Sequence, residues 1–339
     1  MKRMYAVDAN RIFLLSVAVS QMMMYLFAGA GVRDRMLLQF LVEVFMVLPG
    51  ILYLVMQGRS VKESFPVKPL TWKTWLLLIP FVVCVDKIAE FINVVSQLFS
   101  TNMVGSHMAE LIMQYPFPVA FFVIAVTPAI CEEWVFRGML SHGYRKTNVG
   151  ISIVLTAFLF GIMHMNLNQF SYAFVLGLVF ALINEVTGSV LPSVFMHLYI
   201  NGRSVVVLFF SVNYLTGLRE QYVAAEAAND IGKMEQLLAD AQGVPIDSAS
   251  WLQDYMSMGS SSVTEMIQEL LPGVLIATGC ALILFFFIRL CNGWKGKGCK
   301  PVEGMEVKKE AGENGNRSPI VSAELIVGIL ICIVCMIWE

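Results

Sequence analysis

The octapeptide Cys131-Glu132-Glu133-Trp134-Val135-Phe136-Arg137-Gly138 sets two adjacent carboxylates and an arginine inside an apolar run that begins near Phe117. An ionised side chain at membrane depth costs about 2.5–3.5 kcal/mol on insertion scales, so charges kept there generally serve a purpose. On a helix, Glu133 and Arg137 are four residues apart and can pair, whereas Glu132 points about 100° away around the axis. The spacing therefore divides the labour: one working carboxylate, Glu132, stands beside one structural ion pair. The plain alternative is a helix leaving the membrane with its charges already among headgroups.

Two of the four histidines also lie in apolar runs, as Phe160-x-x-x-His164 and His197-x-x-x-Asn201. The i,i+4 spacing puts both members of each pair on one helix face. A single membrane histidine is as often a packing or helix-bridging residue as a catalyst. Glu-Glu, His and His-Asn on three neighbouring helices form a set with a chemistry. Hydrolysing an amide at neutral pH needs an activated water, a proton donor for the leaving amine and donors for the oxyanion. Glu132, partly desolvated, suits a general base; His164 can share the water and shuttle its proton. His197 and Asn201 offer N–H donors on one face, as an oxyanion hole requires. No serine or cysteine is evidently paired with a base, although Cys131 adjoins the motif, so a covalent route is the weaker choice. A metal competes for the same atoms: Glu132, His164 and His197 can hold zinc with water in the fourth position. The H-E-x-x-H spacing is absent and the donors come from three helices. Metal-independent water activation therefore stands ahead and no cofactor is expected, with zinc as the competing account.

These residues have to be held by membrane helices. Of 339 residues, 57% are hydrophobic and 14% charged, against about 25% charged in a soluble domain. The chain reads as an all-α integral membrane protein, a polytopic bundle of about 8–9 transmembrane helices around a polar intramembrane cavity. The net charge of −2 and the lack of a basic stripe argue against nucleic acid as a partner. Seven cysteines, mostly within apolar runs, do not describe a disulfide framework. The pair Cys332 and Cys335 lies in an Ile/Leu run that favours a lipid-embedded helix over redox or metal work.

In chain order, an apolar run from Ile12 to about Gly31 follows Lys2, Arg3 and Arg11. It has features of a signal peptide, Ala28-Gly29-Ala30 included, but its length of about 20 residues favours a retained span. Further spans are expected at about 36–56, 74–96, 117–142, 149–165, 168–184, 189–210, 270–290 and 319–338. Asp86, Lys87 and Glu90 in the third face a polar interior or project from the bilayer, and are assigned no catalysis. Residues 97–116, with His107, read as an exposed loop or interfacial helix. The polar region 213–269 contains a short solvated helix over 220–241. Pro128 removes the amide that would bond to Ile124 and kinks the fourth span. Straight ideal helices would leave Glu132 and His164 at depths differing by ~14 Å. The span boundaries must therefore shift by several residues, or a helix must be tilted, kinked or incomplete. Lysine and arginine counts in short loops put the N-terminus, Arg59/Lys62/Lys68, Arg145/Lys146 and the 295–309 linker in the cytoplasm, with 213–269 and the C-terminus outside. A multi-pass protein of the plasma membrane is expected.

Glu132-Glu133-x-x-x-Arg137, Phe160-x-x-x-His164 and His197-x-x-x-Asn201 resemble, in order and spacing, the motifs of the type II CAAX prenyl endopeptidase family. That family also includes bacterial CPBP (bacteriocin-processing or immunity, Abi-like) intramembrane proteases. The resemblance covers about 117–205. It implies a helical membrane fold with a cavity opening towards the bilayer, Glu132 and His164 activating water, His197 and Asn201 holding the oxyanion, and Glu133 and Arg137 in support. The resulting division is 1–116, N-terminal transmembrane helices; 117–210, a CAAX-protease-like catalytic core; 211–269, a polar extramembrane segment; and 270–339, C-terminal transmembrane helices with a basic linker. The expected activity is hydrolysis of a peptide bond in a membrane-associated or lipidated protein or peptide. A non-catalytic immunity or peptide-binding protein using the same cavity is the alternative; a transporter ranks third, because no inverted repeat is found.

Overall fold

A computed structural model describes residues 6–58, 65–100, 108, 109, 111, 112, 114–242, 244–248, 263–292 and 320–338. His107, Cys299, Arg59, Lys62, the 295–309 linker and most of 249–269 lie outside the described residues. Among those described, the regular structure is helical throughout: α1 (Ala6–Gly29), α2 (Arg35–Met56), α3 (Trp72–Ser96), α4 (Phe117–Arg145), α5 (Val149–Ile162), α6 (Leu167–Thr187), α7 (Leu191–Ala227), α8 (Ile231–Asp240), α9 (Val263–Cys291) and α10 (Ala323–Trp338).

Six of these are long and apolar enough to cross a membrane: α1, α2, α4, α6, α7 and α9. The helices α5 and α10 are apolar but shorter. The expected third span forms as α3, 25 residues long, yet it is not among the six. Lys73, Asp86, Lys87 and Glu90 make it polar for its length. Asp86 is buried and pairs with Arg203 of α7 at 3.2 Å, while Lys87 and Glu90 pair with each other near the surface at 2.6 Å. The chain is an integral membrane protein built as a polytopic helical bundle.

Local signals set the helix ends. Asp34, Thr71, Asn148 and Asn166 cap α2, α3, α5 and α6, each accepting a backbone N–H three residues on. Gly188 ends α6 in the left-handed conformation at φ 69°, which glycine adopts without steric penalty. Helix α1 is integral to the bundle. It packs on α2, α10 and the end of α4, and its buried Asn10 accepts a 2.7 Å bond from the Tyr144 hydroxyl and donates to the Ile320 carbonyl.

Two boundaries differ from expectation in ways that matter. The seventh span continues to Ala227 instead of ending near Phe210. At 37 residues it is about 55 Å long, well beyond the roughly 30 Å hydrocarbon core. The helix expected over 220–241 is broken at Asn229, which takes φ 51°, and the two pieces fold back on each other. Leu215, Leu218, Tyr222, Leu237 and Ile246 form their small apolar core. The fifth span is the second difference: α5 ends at Ile162, two residues before His164.

Candidate active site

Helix α4 carries the acidic motif and is not a uniform α-helix. It widens to π-helical pitch at Phe122–Val126 and again at Trp134–Leu140. Single-turn π segments inside helices recur at functional sites. The first lies immediately before Pro128. Because Pro128 has no N–H, the Ile124 carbonyl loses its helical donor, and Asn201 Nδ2 donates to it instead at 3.4 Å. The proline in α4 thus explains the position of an asparagine on α7.

The second irregularity surrounds Arg137. Arg137 Nη1 donates to Glu133 Oε1 at 3.0 Å, and Nη2 reaches the Gly177 carbonyl of α6 at 3.4 Å. Its guanidinium lies 4.2 Å from the centroid of the Phe160 ring and 5.3 Å from that of Phe180. Burial of this pair is complete enough that desolvation would outweigh simple attraction, so the added hydrogen bonds and ring faces matter. Glu133 Oε1 also accepts from His197 Nδ1 at 3.1 Å. That bond fixes the His197 proton on Nδ1 and turns Nε2 towards Glu132, whose Oε2 is 3.8 Å away.

Glu132 points the other way, as a one-residue step along a helix requires. It is buried, and its Oε2 has no hydrogen-bond partner among the described residues. It lines a cavity of about 530 Å³ that His164 also lines. Helix α5 is shorter than expected: His164 sits in the turn into α6, beyond the helix end, and lines the same cavity as Glu132. Its Nδ1 donates to the Phe160 carbonyl at 2.8 Å and its ring stands edge-on to Phe160, with centroids 5.2 Å apart. The Phe160–His164 spacing therefore holds as a contact although the helix does not reach it. Met165, next in the chain, takes φ 52°, a conformation seldom adopted outside glycine, asparagine and aspartate.

Of the six residues singled out by spacing, Glu132 and His164 line the cavity and the other four do not. Glu132, Glu133, Arg137 and His197 are linked directly, His164 shares the cavity with Glu132, and Asn201 lies one turn beyond His197 on α7. Among the described residues, no three His, Cys, Asp or Glu side chains come together as ligands for a metal ion. The other cavity walls were not foreseen. Gln39, Val42, Glu43 and Met46 of α2, Ser20 and Tyr25 of α1, and Cys335 of α10 contribute to them. Glu43 carried a readable signal, since it is a lone carboxylate in the apolar run 36–56.

Residues 114–203 match the family model described as type II CAAX prenyl endopeptidase Rce1-like. The match contains all six motif residues and supports, over this part of the chain, the family that their spacing resembles, a family of proteases. No curated protein and no solved structure matches the chain.

Proposed function

We propose that the chain is an intramembrane endopeptidase that hydrolyses a peptide bond of a membrane-associated or lipidated protein, using water activated by Glu132 with His164. The observation that carries the reading is the different employment of two adjacent carboxylates. Glu133 is engaged by Arg137 and His197 through its Oε1, while Glu132, whose Oε2 has no hydrogen-bond partner among the described residues, lines the cavity that His164 also lines. Water held between Glu132 and His164 Nε2 loses a proton to Glu132 as its oxygen attacks the carbonyl carbon. His164 suits this because its Nδ1–H is bound to the Phe160 carbonyl, leaving the Nε2 lone pair for the water. The oxyanion takes N–H bonds from His197 Nε2, once that atom is protonated against the Glu133 charge, and from Asn201. Arg137 fixes Glu133 and so the tilt of His197. No step requires a metal.

The matched family points to a prenylated C-terminal segment as one substrate class. In the proposed orientation the N-terminus is cytoplasmic, and the α7–α8 hairpin with the rest of 213–269 is on the opposite side of the plasma membrane. The test is cleavage of a lipid-anchored fluorogenic peptide in vesicles by wild type, Glu132→Gln and His164→Ala. The variants should lose about 10²–10⁴-fold in kcat while remaining folded; full activity in both refutes the reading.

A further inference from the structure

Helix α2 lies outside the family match, yet it brings a second carboxylate to the cavity. Gln39, Val42, Glu43 and Met46 follow helical spacing and present one face of α2 to the space that Glu132 and His164 line. Glu43 is only 5% exposed. Gln39 Nε2 donates to its Oε1 at 3.4 Å, and its Oε2 is buried with no hydrogen-bond partner among the described residues. The titratable groups around it are Tyr25 from α1, Cys131 and Glu132 from α4, His164 after α5, and Cys335 from α10. No lysine or arginine is among the described residues that line the cavity. Glu43 and Glu132 line the same cavity.

Two acids that share one cavity with no lysine or arginine in its described lining cannot both ionise at low cost, and one keeps its proton. Glu132 has His197 Nε2 at 3.8 Å, a cationic donor once it carries the proton its oxyanion role requires, and is the better placed anion. Glu43 has only an amide beside it. We propose that Glu43 is the second acid of this site: in the resting protein it holds the proton that leaves Glu132 as the sole carboxylate anion, and it delivers that proton to the leaving amine. The chemistry rests on the peptidase reading. As water's oxygen bonds to the carbonyl carbon, Glu132 takes one water proton. As the C–N bond breaks, its electron pair stays on nitrogen, which takes the Glu43 proton. The products are a carboxylic acid and an amine, with Glu132 protonated and Glu43 ionised. Transfer of the proton from Glu132 back to Glu43 through cavity water restores the starting state.

The decisive variant is Glu43→Gln, which keeps the shape and polarity of the neutral acid but has no proton to give. The expected result, with the lipid-anchored peptide in vesicles, is a fall of about 10²–10⁴-fold in kcat, little change in KM, and loss of the alkaline limb of the kcat–pH profile. Glu43→Asp should recover part of the activity with a displaced limb. Wild-type kcat and an unchanged profile in Glu43→Gln would overturn the proposal, because a merely structural neutral group would be replaced without loss. A second readout does not depend on peptidase activity: infrared difference spectra of wild type against Glu43→Gln should show loss of a protonated-carboxyl stretch. If wild type cleaves nothing, the peptidase reading fails and this band alone decides who holds the proton. Its absence from the difference spectrum overturns the proposal.

Discussion

Each residue near the site makes sense through what its neighbours withhold. Pro128 withholds an amide and Asn201 supplies one; Glu133 takes up Arg137 and His197 and so leaves Glu132 unbonded. Arg137→Gln should therefore cost more than the loss of a contact, since it strands the buried Glu133 charge. Removing one partner of a buried pair typically costs 3–5 kcal/mol. The double replacement Glu133→Gln with Arg137→Gln should be milder than the single one, because no charge is left unpaired. Thermal unfolding of detergent-solubilised protein checks the order, and an additive double mutant would deny the pairing its importance. The division between Glu132 and Glu133 was legible in the sequence because helical periodicity separates adjacent residues by a fixed angle. Glu43 could have been found by the same cost argument. Its partnership with Glu132 could not, since nothing in the spacing of residues 43 and 132 encodes which faces of α2 and α4 meet.

At the scale of elements, the site depends on α5 and α6 approaching closely enough for Arg137 to reach across. Gly177 permits that contact: a Cβ there would lie 2.9 Å from the Ala157 Cα, a backbone atom that cannot swing away. Gly177→Val should destabilise the protein by about 1–3 kcal/mol and lower activity with it, whereas the same change at Gly279, with nothing within 4 Å, should do neither. Unfolding midpoints of the two variants make the comparison. The entry to α2 responds to pH. Asp34 accepts the Tyr115 hydroxyl at 2.6 Å and the Leu37 amide at 2.9 Å, and both bonds hold its carboxyl below the usual range. A lowered carboxyl contributes stability above its ordinary value of about 3.9, and that contribution fades as pH falls through the depressed folded value. The same bond raises Tyr115, so its share is lost only as pH climbs past the ordinary tyrosine value of about 10. Hydrogen exchange at the Leu37 amide should quicken at both extremes, and more so at all pH values in Asp34→Ala. A rate unaffected by that change would remove Asp34 as the cap. The span boundaries were the least legible part. Hydropathy marks where lipid is tolerated, but not where a helix stops, and both the early end of α5 and the long run of α7 are decided by packing partners.

In the molecule as a whole, the stretch that matches the family model is set inside a larger helical frame. Residues 114–203 carry the recognisable motifs, but α1, α2 and α10 supply cavity walls from outside that stretch. The bundle class was readable from composition together with run length, because 57% hydrophobic residues gathered in apolar runs of about 20 suit membrane helices and not the alternating strands of a barrel. The lining of the candidate cavity was not, because it joins residues more than 300 positions apart, Ser20 and Cys335 among them. The most direct test of the central claim is the turnover of a lipid-anchored peptide by purified protein in vesicles, wild type beside Glu132→Gln, each with and without a metal chelator. Water activation by Glu132 predicts chelator-resistant cleavage by wild type and a kcat lower by about 10²–10⁴-fold in the variant. Equal turnover by the two proteins, or cleavage abolished by the chelator and restored by zinc, would contradict it.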